Sequence, residues 1–261
     1  MKKIVKSIIP SFVLRKYKNY RHKERLKLYA GDEVFCPICK SYFKAFASSF
    51  AGAEERKNAK CVKCGSKERH RLLFMFFTEK TTLFNSQTKI KLLHFAPEKF
   101  FYDVFSKKQN IEYTPCDLFP DVYDFKDNVK VVEVDVTKIP FEENSFDVIL
   151  CNHVLEHVPD DKQAMSELYR VMKKEGWGIF QVPIDYKRAD TYEDFSITSP
   201  KEREKAFGQF DHVRMYGKDY QDRLKSVNFE VIVDDYVKKF SAAELKKFGL
   251  NSTHLIYYCK K

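Results

Sequence analysis

From Ile90 onward the chain alternates short apolar runs with segments whose apolar residues recur every three or four positions. The apolar runs predict strands at 90–95, 111–116, 131–135, 146–152, 177–182, 228–234 and 254–259, and helices fit around 98–107, 160–173, 201–207 and 217–226. The stretch "PDDKQAMSELYRVMKKEGW" has the clearest helical pattern. Asp160 is placed to cap it, Met165, Leu168 and Met172 line one face, and Gly176 is placed to end it. Upstream, "SKERHRLLFMFFTEK" (66–80) predicts a further helix with Leu72, Leu73, Phe76 and Phe77 on its apolar face. Alternating strands and helices imply a parallel sheet covered on both faces, with the last strand in a hairpin-like position.

Composition supports a real core, with 44% hydrophobic residues, 24 Phe and 15 Tyr in 261 residues. No apolar run approaches the ~20 residues that a membrane span needs. The early stretch "SIIPSFVL" is broken by Pro10 and lacks a small-residue cleavage site, so no signal peptide is expected. The net charge of +10 is concentrated at the start: residues 1–30 hold ten Lys and Arg against Glu24 alone. Ile8, Ile9, Phe12, Val13, Leu14, Tyr17 and Tyr20 are interleaved with those cations. This pattern fits a basic amphipathic arm lying on an anionic membrane surface, and equally a solvated helix docking its apolar residues on the protein. The expected location is cytoplasmic, with the arm placing the protein at the inner face of the membrane.

Four of the seven cysteines form two pairs, Cys36-x2-Cys39 and Cys61-x2-Cys64, separated by 21 residues. Two such knuckles can set four thiolates around one tetrahedral Zn²⁺. That closes the coordination shell, so the metal's role is expected to be structural. The gap between the pairs predicts a small hairpin, and the alternative is a set of unliganded cytosolic thiols. Cys116, Cys151 and Cys259 fall in predicted strands and read as small buried residues.

The turn after the first strand of the alternating region reads His94-Phe95-Ala96-Pro97-Glu98 and contains no glycine. Asp117 follows about 20 residues later, at the end of the second strand, where dinucleotide-type sites hold ribose hydroxyls. The third strand ends at Asp135-Val136, and the fourth runs into "CNHVLEHVPD". This series, with "DVTKIPFEENSFDVILCNHVLEHVPD", "ELYRVMKKEGWGIFQVP" and "DHVRMYGKDY", resembles the class I S-adenosylmethionine-dependent methyltransferases over residues 89–261. With the "CPIC…CVKCGSKERHR" module, it is similar to a zinc-ribbon-bearing bacterial subgroup, methyltransferase type 11-like, associated with surface-polysaccharide genes. The resemblance implies an α/β, Rossmann-like seven-stranded sheet with helices on both faces, behind a zinc-ribbon module and a basic helix. Its expected domains are 1–30, 31–70 and 71–261. It also implies S-adenosylmethionine held by His94, Ala96, Pro97, Glu98, Asp117, Asp135, Val136, Asn152 and His153, with structural Zn²⁺ on Cys36, Cys39, Cys61 and Cys64. The family's first motif carries glycines where this chain has Ala96-Pro97, the one departure from the pattern. Ala96 is the next smallest choice and Pro97 stiffens the turn.

Methyl transfer from a sulfonium is an in-line displacement, and a base is needed when a hydroxyl attacks. Candidates for catalysis are His157, His212 and Asp185, the last following the fifth strand. The long "IDYKRADTYEDFSITSPKEREKAFGQFDHVRMYG" connection reads as acceptor-shaping, with Arg214 either facing an anionic acceptor or facing solvent. The leading expectation is O-methylation of a sugar, glycan or other small polar acceptor near the membrane. An RNA methyltransferase and a non-catalytic scaffold are the alternatives. Nucleic acid is disfavoured because residues 31–261 are close to neutral.

Overall fold

The computed structural model describes residues 11–51, 54–125 and 129–261. Ile8 and Ile9 of the basic arm, and the side chain of Phe12, lie outside the described residues. The chain divides into two compact units, one running to Met75 and including Val237–Thr253, the other comprising Phe76–Tyr236 and His254–Lys261. This differs from the expected boundary at residue 70, because residues 237–253 group with the cysteine-bearing unit.

The first unit begins with helix α1 (Ser11–Leu28). Val13, Tyr17 and Tyr20 are exposed on it, while Leu26 and the following Tyr29 pack on a small core of Val34, Cys36, Phe43, Phe46, Cys61 and Val62. Strands β1 (Val34–Cys36) and β2 (Ser41–Phe43) pair antiparallel, as do β3 (Ala47–Ala51) and β4 (Glu54–Lys60). The insertion between the two cysteine pairs is thus a hairpin, as its length predicts. Helix α2 (Glu68–Lys80) follows. Arg71 on α2 is fully buried, donating to the carbonyls of Ser66, Ala59, Phe248 and Gly249 and lying 3.9 Å over the Phe46 ring. Gly249 ends the short helix Ala242–Phe248 at φ +56, and a Cβ there would meet the Phe46 ring at 2.5 Å. Only glycine satisfies both demands.

The second unit is built on a seven-stranded sheet in the order β12-β13-β9-β8-β5-β6-β7. Its strands are β5 (Ile90–Phe95), β6 (Ile111–Asp117), β7 (Val132–Glu133), β8 (Phe146–Cys151), β9 (Met172–Ile179), β12 (Glu230–Asp234) and β13 (Ile256–Lys260). The first five run parallel, and β13 lies antiparallel between β9 and β12. This is a Rossmann-like sheet of seven strands, as the sequence implies. Successive β5 side chains face opposite layers, as the two-residue period requires. Leu93 and Phe95 join a core with Met165 and Leu168 of helix α4 (Asp161–Val171) and Tyr220 and Leu224 of helix α6 (Tyr220–Lys225). His94 packs instead against Phe101 and Phe105 of helix α3 (Lys99–Phe105). Cys116, Cys151 and Cys259 are buried, and burial pushes all three thiols up, as expected of small core residues.

Asp160 caps α4, accepting from the Gln163 amide at 2.9 Å. The other end differs from expectation. Met172 turns extended at ψ 136, so the helix stops there and β9 begins. Gly176 lies within β9, where a Cβ would meet the Lys173 carbonyl at 2.7 Å. The long connection after β9 is also structured: β10 (Tyr192–Glu193) pairs with β11 (Arg214–Met215), with helix α5 (Pro200–Phe207) between them.

Candidate active site and metal centre

The strand order reverses at β5, whose neighbours β6 and β8 connect in opposite directions. In open α/β sheets ligands bind there, beyond the carboxyl ends of the strands. A cavity of about 630 Å³ lies at that point, lined by Phe95, Ala96, Asp117, Leu118, Phe119, Val134, Asp135, Val136, Thr137, His153, Val154, His157, Val158, Pro159 and Asp211. Its size suits a small organic ligand.

The glycine-free turn adopts the backbone that glycine ordinarily supplies. Ala96 sits at φ +48, and its amide donates to the Cys116 carbonyl at 3.0 Å. Left-handed backbone costs a residue with a Cβ about 1–2 kcal/mol. Alanine carries the smallest side chain that pays this penalty, and the turn keeps its path.

At the end of β6, Asp117 accepts from the Phe119 amide at 2.8 Å and the Tyr123 hydroxyl at 2.6 Å. Burial and the Asp117 carboxylate hold the Tyr123 phenol protonated well above its ordinary range, so Tyr123 remains a donor. Asp135 accepts from the amide and hydroxyl of Thr137 at 2.8 and 2.7 Å, which fixes the turn after β7. After β8, His153 takes φ +57 and its Nδ1 lies 3.2 Å from Glu156. Buried Asn152 accepts the Gln181 amide on its Oδ1, while its Nδ2 has no hydrogen-bond partner among the described residues.

Of the residues expected to hold cofactor, Ala96, Asp117, Asp135, Val136 and His153 line the cavity. His94, Pro97, Glu98 and Asn152 are not among the lining residues. His94 is buried, with Nδ1 2.9 Å from the Tyr113 hydroxyl and Nε2 3.2 Å from Glu98, so both ring nitrogens are engaged within the fold. The donor set fits a nucleoside ligand. Each carboxylate oxygen of Asp117 has capacity beyond its one internal bond, enough for ribose hydroxyls.

His157 lines the cavity on a 3-10 turn at Leu155–His157. Its Nδ1 lies 3.3 Å from the Asp211 carbonyl and 3.5 Å from that residue's carboxylate. His212 sits off the cavity lining, edge-to-face with His157 at 4.8 Å, and donates from Nδ1 to the Phe207 carbonyl at 3.0 Å. Burial pushes the His212 imidazole below its ordinary value. Asp185 is absent from the lining. It accepts the Lys187 amide and pairs with Arg188 at 3.3 Å, which makes it a turn residue.

Arg214 fits neither sequence reading. It is 1% exposed, and its guanidinium donates to the carbonyls of Leu155, Val158 and Pro159 and to Glu193. It therefore clamps the segment that carries His157. Nothing in the sequence around Arg214 marks it as buried.

In the first unit, the four paired cysteines bring their sulfur atoms within 4.8 Å of one another. Cys36–Cys64 and Cys39–Cys61 are each 3.7 Å apart. A Zn–S tetrahedron with bonds of about 2.3 Å has edges of about 3.8 Å, so the cluster has the dimensions of a closed zinc site. The buried Arg71 guanidinium interacts electrostatically with Cys36, Cys61 and Cys64.

A family model described as "Methyltransferase domain" matches residues 102–180, from within α3 to the end of β9 and just beyond. That segment carries the pattern of a methyltransferase domain. No curated relative matches its sequence. Among solved structures, it is similar to a SAM-dependent methyltransferase from Archaeoglobus fulgidus at 14% identity, covering 75% of this chain and 95% of that one, TM-score 0.48. An S-adenosylmethionine-dependent methyltransferase from Mesorhizobium loti is 12% identical, over 67% and 92% of the two chains, TM-score 0.47. The Burkholderia thailandensis 1,6-didemethyltoxoflavin-N1-methyltransferase, solved with its substrate and S-adenosylhomocysteine, is 13% identical over 73% and 76%, TM-score 0.45.

Proposed function

We propose that the protein transfers a methyl group from S-adenosylmethionine to a hydroxyl of a sugar, glycan or other small polar acceptor. The observation that carries this reading is the cavity at the strand switch point, lined by Asp117 and Asp135 together with the His157–Asp211 pair. The cofactor, when bound, supplies an electrophilic methyl on sulfur. Asp117 would hold the ribose hydroxyls, Asp135 and Val136 the base, and the Ala96 turn would allow close backbone approach. Deprotonation of the acceptor hydroxyl falls to the His157–Asp211 pair, so that the O–H proton leaves as the O–CH₃ bond forms. The test is release of S-adenosylhomocysteine from S-adenosylmethionine over a panel of free and phosphorylated sugars. Turnover confined to amine acceptors, or to RNA, would overturn the hydroxyl assignment.

The cysteine cluster is read as a structural zinc ribbon, supported by its sulfur spacing and by the Arg71 charge beside it. Metal analysis of the purified chain should give zinc lost in Cys61→Ser. Helix α1 supports a peripheral role at an anionic membrane, since exposed Val13, Tyr17 and Tyr20 lie among Lys and Arg. Co-sedimentation with phosphatidylglycerol vesicles that persists after deletion of residues 1–28 would remove that role. No helix among the described residues is long and apolar enough to cross a membrane. In surface-polysaccharide synthesis such an enzyme would cap or decorate a glycan with O-methyl groups.

A further inference from the structure

Behind the His157 wall, Glu156, His157 and His212 bring one carboxylate oxygen and one nitrogen of each ring within 4.8 Å of one another. Glu156 is 1% exposed and His212 6% exposed, whereas His157 reaches the cavity. A carbonyl oxygen only accepts, so the bond from His212 Nδ1 to the Phe207 carbonyl fixes the proton on Nδ1. The 3.3 Å contact of His157 Nδ1 with the Asp211 carbonyl does the same. Each ring thereby keeps its lone pair on Nε2. Backbone carbonyls that orient imidazoles through Nδ1–H are the usual outer support of metal-binding histidines.

We infer that Glu156, His157 and His212 form a second metal site, a two-histidine, one-carboxylate set for a divalent first-row cation. Mixed imidazole and carboxylate ligands suit Mn²⁺, Fe²⁺, Co²⁺ or Zn²⁺, and three protein ligands leave coordination positions open. Bonds of about 2.1 Å place ligand atoms roughly 3.0–3.5 Å apart, so the three side chains close by about an ångström on binding. His157 sits on the cavity wall, which gives an acceptor a route to those open positions. A hydroxyl bound there is acidified, and with His157 Nε2 taken up by the cation its proton passes to the Asp211 carboxylate, which also lines the cavity and is then the base of the His157–Asp211 pair. This use of the cation rests on the hydroxyl-methylation reading. The binding itself does not.

The experiment is equilibrium dialysis of the full chain, stripped of metal, against CoCl₂, with the thiolate-to-cobalt absorption recorded in parallel. That absorption reports the cysteine cluster alone, so the fate of the zinc-ribbon reading is separate from this one. The expected result is one Co²⁺ beyond those seen by the thiolate band, bound at least tenfold more weakly in His157→Gln and in His212→Gln with that band unchanged. His212 is buried, so its variant is scored only if its melting temperature stays near wild type. His157→Gln, on a partly exposed side chain, decides the question otherwise. Wild-type protein that binds no Co²⁺ beyond the thiolate band overturns the proposal, as does extra Co²⁺ whose affinity His157→Gln leaves unmoved.

Discussion

The Tyr123 hydroxyl donates to the Asp117 carboxylate at 2.6 Å, and this bond holds the acid at the carboxyl end of β6 facing the cavity. Two internal donors, Tyr123 and the Phe119 amide, fix the carboxylate before any ligand arrives. Asp117→Ala should weaken S-adenosylhomocysteine binding by about 1–3 kcal/mol, the cost of leaving ribose hydroxyls unpaired. Tyr123→Phe should weaken it less, since it loosens the acid without removing it. Calorimetric titration of both variants checks this order. Equal affinity for Asp117→Ala and wild type would place the ribose elsewhere.

Ala96 provides the second test. Its φ of +48 strains an alanine but not a glycine. Ala96→Gly relieves about 1–2 kcal/mol of strain and loses about 0.5–1 kcal/mol to the greater freedom of the unfolded chain. The net expectation is a gain of about 0.5–1 kcal/mol in a denaturant melt. Ala96→Val should destabilise, because a β-branched side chain tolerates that backbone poorly. A destabilising glycine would mean that the turn is not left-handed in solution.

How far the sequence reaches is visible in these same residues. The strands and helices of the second unit followed from alternating apolar runs, and Asp117 and Asp135 from their places at strand ends, because period and spacing are local properties. The φ of Ala96 was hidden, since no local pattern says that an alanine will occupy a glycine's backbone. Arg71 and Arg214 were hidden for a different reason. Each is satisfied by carbonyls far away in the chain, Phe248 and Gly249 for one and Leu155–Pro159 for the other. Arginine is seldom fully buried, so such placements arise only from tertiary structure. Asp185 was singled out by its position after the fifth strand, whereas its place off the cavity lining and its pairing with Arg188 depend on how the following connection folds.

Arg71 makes a sharp prediction for the cysteine-bearing unit. Its guanidinium serves four carbonyls at once, a geometry that a lysine ammonium cannot reproduce. Arg71→Lys should cost about 3 kcal/mol or more through buried carbonyls left without donors. Hydrogen exchange should show the loss in residues 34–66 and 242–249. A variant with wild-type protection there would show that the clamp is redundant.

His212 ties stability to pH. Burial lowers its imidazole below the ~6.5 of an unfolded chain, so the unfolded state takes up the proton first. More protons bound in the unfolded state means that stability rises with pH in that interval. The His212 contribution is therefore complete above about pH 6.5 and is lost as pH falls toward the lowered value. His212→Asn, which keeps an N–H for the Phe207 carbonyl, should flatten the change in denaturant midpoint between pH 7.5 and 5.5. Identical pH slopes for the two proteins would remove His212 from that account.

Arg214 links the fold to the reaction without touching the cavity. It holds the carbonyls of Leu155, Val158 and Pro159, which bracket His157, and its ion pair with Glu193 anchors it to β10. Glu193 also pairs with Arg223, and Asp161 joins the same buried network, so the guanidinium is fixed from several sides. Lysine at this position keeps the charge but cannot serve three carbonyls and a carboxylate in one plane. Arg214→Lys should cost about 3–5 kcal/mol of stability, as breaking a buried ion network does. In the protein that remains folded, His157 shifts while Asp117 does not. A displacement of about an ångström at a reacting group can lower turnover on the order of 100-fold. The expected kinetic signature is a large fall in kcat with S-adenosylhomocysteine affinity within about twofold of wild type, the split that distinguishes mispositioning from loss of the cofactor site. Loss of cofactor affinity in parallel with kcat would show that the clamp supports the whole cavity rather than the His157 segment.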